Sequence, residues 1–144
     1  MKKKILLALG VTLFLAGCPS VHSPLSEATS GASWMTVGVS TNNNTRHELD
    51  KSSVKRNGAV VSFRDKKTFD NPDLAHFASL PNHKTSVNIW EVNCKNKTYT
   101  LVSTHLFDKQ GQSVYKQEIT RDKRTYMSVN RGSAIEEEFN YVCK

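Results

Sequence analysis

From Trp34 onward the apolar residues come in short runs, mostly at every second position, separated by Asn, Asp, Gly, Pro and Ser. That is the pattern of β-strands half-buried on a sheet. Ala59, Val61 and Phe63 alternate with Val60, Ser62 and Arg64, giving that strand an apolar face. Asn57-Gly58 just before it is a strong hairpin signal, because both residues tolerate positive φ. The neighbouring strand is then the weak candidate at residues 45–50, reached through the turn-rich KSSVKRNG. Two β-rich runs at 87–95 and 98–107 are joined by Asn96-Lys97 as a second hairpin. Asp108-Lys109-Gln110-Gly111 turns the chain into an extended run at 113–119, and a last one is expected at 124–129. Residues 69–84, with Pro72 and Pro81, read as a long loop holding a helical turn around 73–78.

The period changes at the C-terminus. In SAIEEEFNYVCK, Ile135, Phe139, Val142 and Cys143 fall at i, i+4, i+7 and i+8, on one helical face. Ser133 and Glu136 have capping-box spacing, and Glu136, Glu137 and Glu138 suit the positive end of the helix dipole. A helix of about three turns is marginal alone, so its apolar face must pack on the sheet. Trp90, Val92 and Cys94 share one side of their strand. A helix lying across that side brings Cys143 to Cys94, and in an exported domain the two form a structural disulfide rather than a redox pair or a zinc site. The expectation is an α+β, mainly β fold: a single antiparallel sheet of about six strands with a C-terminal α-helix packed on it and disulfide-linked to it.

Three cysteines leave one over, Cys18, and the residues before it account for it. Lys2, Lys3 and Lys4 precede an apolar run from Ile5 to Ala16, the shape of an export signal too short to span a bilayer permanently. Leu15-Ala16-Gly17-Cys18 resembles the bacterial lipobox, in which the chain is cut before the cysteine and the cysteine is acylated. Residues 1–17 are then a lipoprotein signal peptide, and residues 18–33 a lipidated cysteine followed by a flexible Ser/Thr/Pro/Gly tether. Residues 34–144 form the folded domain. Pro19, in place of an inner-membrane Asp, implies the outer membrane by the same resemblance. Removing the signal takes three lysines and leaves 17 basic against 13 acidic residues, a net +4. That mild excess is interleaved with acids along the chain, which argues against nucleic acid as a partner.

Asp50 to Phe63 (DKSSVKRNGAVVSF), Ser86 to Leu101 (SVNIWEVNCKNKTYTL) and the terminal GSAIEEEFNYVCK resemble, in order and spacing, the surface-adhesin protein E family of bacterial lipoproteins. The resemblance covers nearly all of residues 34–144. It implies one antiparallel sheet with the helix fixed by the two cysteines, and a non-catalytic surface protein that binds matrix glycoproteins such as vitronectin and laminin. A homodimer is also implied, through sheet edges left open to pairing.

Candidate contacts for acidic or sulfated partners, including sulfated glycans, are His83 and Lys84 in the long loop and Lys95 and Lys97 in the next hairpin. The simpler reading of each is a solvated turn residue, and the same holds for Lys55 and Arg56 in the first hairpin. Trp34, Trp90 and Tyr126 are read as core positions, with an interface as the alternative. His22, His47, His76, His83 and His105 stand singly, and no G-x-S-x-G, H-E-x-x-H or phosphate-binding glycine loop is present, so neither catalysis nor a cofactor is expected. The other reading of a small disulfide-bonded lipoprotein is an envelope or inhibitor module that binds another bacterial or host protein.

Overall fold

A computed structural model describes residues 22–75 and 77–144, so Cys18, the signal segment and His76 lie outside the described residues. A short helix α1 (Pro24–Ala28) opens the chain, followed by β1 (Trp34–Val39), β2 (Thr45–Asn57) and β3 (Val60–Phe69). Then come β4 (Thr85–Asn93), β5 (Thr98–Phe107), β6 (Ser113–Glu118), the two-residue β7 (Met127–Ser128) and the helix α2 (Ala134–Val142). The strands form one antiparallel sheet in the order β1-β2-β3-β4-β5-β6, with β7 pairing the start of β5. The single antiparallel sheet of about six strands thus holds, but the extended run expected at 124–129 pairs only as the two-residue β7, and β1 is a strand that the expected runs did not include.

Both hairpins turn close to the expected residues, but Asn57 stays in β2 opposite Val60, so the first turn is Gly58-Ala59, and the second covers residues 94–97 instead of Asn96-Lys97 alone. Gly58 takes φ +61° between β2 and β3, and Lys97 takes φ +53° between β4 and β5. Asn93 Oδ1 accepts from the amides of Lys95 and Asn96 at 3.1 and 3.0 Å, an Asx turn that closes the second hairpin.

KSSVKRNG is not a turn. It continues β2 to Asn57, with an irregularity between Asp50 and Lys55 that interrupts the pairing with β3. Asp50 Oδ1 accepts from the Ser52 amide and hydroxyl, while Ser53 Oγ donates to the Asp50 carbonyl and accepts from the Arg64 amide. Serines that favour turns by local hydrogen bonding here satisfy the groups freed by a bulge.

The sheet has an inner face carrying the core and α2, and an outer face carrying Val60, Ser62, Arg64, Ile89 and Glu91. Leu49, Val61, Phe63, Val92, Phe139 and Val142 are buried together as the core, with Ile135, Trp90, Tyr99 and both cysteines packed around them. Ser133 caps α2 by accepting from the Glu136 amide at 3.3 Å. The return bond goes one residue further out than a capping box requires, from the Gly132 amide to Glu136 Oε2 at 2.6 Å. The Cys94–Cys143 disulfide closes the other end of the helix. There Arg56 donates to the carbonyls of Val142 and Lys144, at the negative end of the helix dipole.

Glu138 departs from the first-turn role expected of it: it is buried to 2 % exposure and turned toward the sheet. It faces Asp65, Lys67, Trp90 and Tyr99 across a cavity of about 210 Å³. Burial, and next the Asp65 carboxylate, push its pKa from 4.5 up to about 9, so it is a neutral acid at pH 7. Asp65, also pushed up by burial, accepts from Asn88 Nδ2, and Thr104 donates to Asn88, a polar chain across β3, β4 and β5.

The stretch expected to be a flexible tether is ordered where it is described. Ser23 accepts from the Ser26 amide to start α1, and the Leu25 amide donates to Gly111 in the β5–β6 turn. Gly111 takes φ +77°, and a side chain there would meet Ser23 and Leu25 at 3.2–3.3 Å. Further on, Arg64 donates to the carbonyls of Ala28 and Ser30, and the Ser33 amide donates to Asp50 Oδ1 at 2.8 Å. The fully buried Asp50 carboxylate also ion-pairs with Arg64 at 2.6 Å. Burial alone would raise its pKa, but hydrogen bonds from Ser52, Arg64 and the Ser33 and Ser52 amides outweigh it and hold the pKa below 3.8. The segment is therefore strapped over the outer face by partners distant in sequence, which its Ser-rich composition does not reveal.

Candidate functional site

The four residues singled out as partner contacts do not form one patch. Lys84 and His83 precede β4, whereas Lys95 and Lys97 follow it, so nine strand residues hold the two pairs roughly 30 Å apart. His83 is buried, at 4 % exposure. Its ring lies 4.1 Å from Phe77, tilted by 38°, and meets Phe69 edge-on at 5.3 Å, while Nδ1 hydrogen-bonds the Pro81 carbonyl at 2.8 Å. Burial lowers its pKa, with the Pro81 contact acting in the opposite sense. This histidine packs the loop instead of facing solvent, because two aromatic neighbours shield it. Lys84 is half-buried and donates to the Asp70 carbonyl at 2.8 Å. Lys95 and Lys97 are exposed on the hairpin turn.

At the Lys95/Lys97 end the outer face is hollowed. One open hollow of about 440 Å³ is lined by Lys55, Asn57, Val60, Ser62, Arg121 and Tyr126, among others. A second of about 430 Å³, reaching Asn93, Asn96 and Thr98, shares Val60, Glu91 and Tyr126 with it. A third of about 320 Å³, running to Asp50 and Arg64, shares Lys55 and Ser62 with the first. Together they form a trough along β3 and β4, from the Asp50–Arg64 clamp to the second hairpin.

The register builds its floor. Val60 lies opposite Asn93 and Ser62 opposite Glu91, so small and branched side chains alternate with polar ones along the bottom. The wall comes from the chain after β6, a 3-10 turn at Arg121–Lys123 followed by Tyr126. Arg124 folds back, donating to Glu91 Oε2 at 3.0 Å, with both side chains largely buried, and to the Ile119 carbonyl. This ion pair neutralises Glu91, the acidic group on the floor. Lys55 and Arg121 make no ion pair among the described residues, so the trough is cationic. Arg56 is held on the carbonyls at the end of α2. Tyr126 is 61 % exposed and stands between the hollows, while Trp34 and Trp90 are half-buried beneath lysine ammoniums at 4.4 and 5.6 Å. The interface alternative thus fits Tyr126, and packing fits the two tryptophans.

Chemically, the trough can hold an extended polar chain carrying negative charge, with an aromatic surface beside it. Elsewhere, Ser113 Oγ and His105 Nε2 lie 2.7 Å apart on an exposed edge, but no carboxylate hydrogen-bonds that imidazole among the described residues. No group of three or more His, Cys, Asp or Glu is placed to hold a metal ion among the described residues.

The sequence profile of the Surface-adhesin protein E family matches residues 34–144, which run from the start of β1 to the end of the chain. The chain belongs to that family. As a family member it is a bacterial surface adhesin. Solved structures of Haemophilus influenzae protein E are similar to it, with a TM-score of 0.51 at 17 % identity over 76 % of this chain and 83 % of theirs. A second crystal form and a selenomethionine form of that protein give the same score and identity and are covered to 86 % and 84 %. At that identity the likeness shows a shared fold. No curated protein matches the sequence.

Proposed function

We propose that this adhesin is held on the bacterial outer membrane by acyl chains on Cys18 and binds host matrix glycoproteins, with vitronectin and laminin as the first candidates, or their sulfated glycans. The observation that carries the binding reading is the trough, where Lys55 and Arg121, in no ion pair among the described residues, stand beside the exposed Tyr126 while Arg124 cancels Glu91. Lys95 and Lys97 extend the same charge past its open end. Lys84 lies at the far end of β4 and His83 is packed, so neither contributes to this surface. A ligand held this way is recognised by charge and shape, without covalent chemistry and without a cofactor. The edge strands β1 and β6 are the places where a second copy would pair.

Binding of residues 19–144 to immobilised vitronectin, laminin and heparin across a salt series tests this reading. Saturable binding that weakens as salt rises is expected, because exposed charges lose their reach as the screening length falls from about 10 Å at 0.1 M to about 3 Å at 1 M. Salt-independent binding, or none to any of the three, removes the charge-led adhesin. For the anchor, labelled palmitate should enter the wild-type chain and not Cys18→Ala; equal labelling of both refutes acylation at Cys18.

A further inference from the structure

The three turns at the Lys84 end of the sheet are tied into one surface. Asn44 exchanges hydrogen bonds with Asn71, joining the β1–β2 turn to the long loop. The Lys109 ammonium approaches the Asp73 carboxylate at 3.8 Å, joining that loop to the β5–β6 turn. Helix α1 docks on the same turn through Leu25 and Gly111. The chain thus enters the domain at this end.

The entry point limits what the membrane can touch. From Cys18 to His22 there are four residue steps, which span at most roughly 14 Å when fully extended. An inverted domain would need a leader about as long as a strand of the sheet, roughly 30 Å for β4. Side-chain chemistry points the same way. The long loop exposes Leu74 (67 %) and Leu80 (41 %), and Val39 (53 %) closes β1 at the same end. Lys109 is paired with Asp73 and Lys84 with a carbonyl, and the exposed Arg46, opposite Val39 in the β1–β2 register, sets one cation beside the apolar contacts at this end. At the opposite end Lys55, Lys95, Lys97 and Arg121 make no ion pair among the described residues.

We infer that the domain sits on its membrane in one orientation, with Leu74, Leu80 and Val39 in contact with the lipid headgroup region and the cationic trough directed away from it. The inference rests on acylation at Cys18 and extends it: the ordered strap from Ser23 to Ser33 converts an anchor into an orienting device. A freely tethered cationic domain would instead lie with Lys95 and Lys97 on the anionic headgroups. The strap and the short leader oppose that arrangement, and they leave the trough open to partners outside the cell.

The test uses the isotope-labelled mature chain, purified from membranes and placed in phosphatidylethanolamine/phosphatidylglycerol nanodiscs doped with a gadolinium-chelating lipid. Amide signals of Leu74, Leu80 and Gly111 should lose most of their intensity, while those of Gly58 and Asn96 keep theirs. Equal loss at both ends, or greater loss at Gly58 and Asn96, overturns the orientation. In the double variant Leu74→Ser/Leu80→Ser the loss at the loop should diminish; an unchanged loss overturns the lipid contact. Intact mass of the same sample separates the two levels. An unmodified Cys18 overturns the anchor and the orientation with it, whereas an acylated chain with the reversed pattern overturns the orientation alone.

Discussion

Replacing Glu138 by Gln should stabilise the protein, by an amount that grows with pH. In the folded state this carboxyl has a pKa of about 9, against 4.5 when exposed, because it is buried beneath α2 beside Asp65. Its folded pKa is the higher one, so folding takes up a proton. The associated stability is fully present below pH 4.5 and is lost as pH rises toward 9, at about 1.4 kcal/mol per pH unit. At pH 7 the loss is about 3 kcal/mol and at pH 9 about 6 kcal/mol, a large part of the 5–15 kcal/mol that holds a typical domain. Glutamine has nearly the shape of the protonated acid and needs no proton, and it removes the like charge that Asp65 would otherwise face. Urea unfolding of both proteins from pH 4.5 to 9 measures the difference. It should be near zero at the acid end and favour the variant by about 3 kcal/mol at pH 7. A difference independent of pH, or one that favours the wild type increasingly as pH rises, would refute the assignment of a buried neutral acid.

Other consequences follow from the same contacts. Cys94→Ser with Cys143→Ser opens a loop with a sequence separation of 49 residues and should cost about 4 kcal/mol in the chain-entropy model, read as a lower urea midpoint and faster amide exchange along α2. Arg64→Ala leaves the Asp50 carboxylate buried without its cation and frees the Ala28 and Ser30 carbonyls; a loss of roughly 3 kcal/mol should come with fast amide exchange in residues 24–33, and protected amides there would contradict the strap. Because hydrogen bonds hold the Asp50 pKa below 3.8, its contribution is present above that value and fades as pH falls through the lowered one, so Asp50→Asn should flatten the acid limb of the stability profile. His47, whose pKa burial and then Lys67 bring down to about 4, adds to that limb between pH 6.5 and 4, and His47→Gln should gain stability at pH 4 and little at pH 7.

What was legible in the chain was whatever local chemistry determines. Gly58 had to lie in a turn, though Asn57 before it stays in β2; Ser133 had to be a cap, and the 3.6-residue spacing of Ile135, Phe139 and Val142 a helix with one apolar face. The Cys94–Cys143 pair followed from placing that face on the sheet. What escaped were features set by distant partners. KSSVKRNG looked like a turn because Ser and Asn satisfy their own backbone; only Arg64, on the next strand, shows that they complete a bulge. Residues 24–28 are too short to read as a helix without Gly111 and Arg64 to hold them. Glu138 looked like a third capping charge, and nothing in an EEE run marks which member turns inward. His83 looked exposed because Pro81, Asn82 and Lys84 surround it in sequence, while Phe69 and Phe77 surround it in space. The trough needs the β3–β4 register and the fold-back of Arg124 onto Glu91, 33 positions away. Lys55, Lys95 and Lys97 were therefore identifiable as cations but not as neighbours of Arg121 and Tyr126.

The central claim is that recognition resides in the trough at the end away from the lipid anchor. The most direct measurement compares, on whichever of vitronectin, laminin or heparin binds, the affinity of the wild type with that of Lys55→Glu/Arg121→Glu/Tyr126→Ser and of Lys84→Glu, after confirming equal unfolding midpoints. The account predicts that the triple variant loses binding and that Lys84→Glu retains it. Retained binding in the triple variant together with loss in Lys84→Glu would place recognition at the loop end and contradict the account.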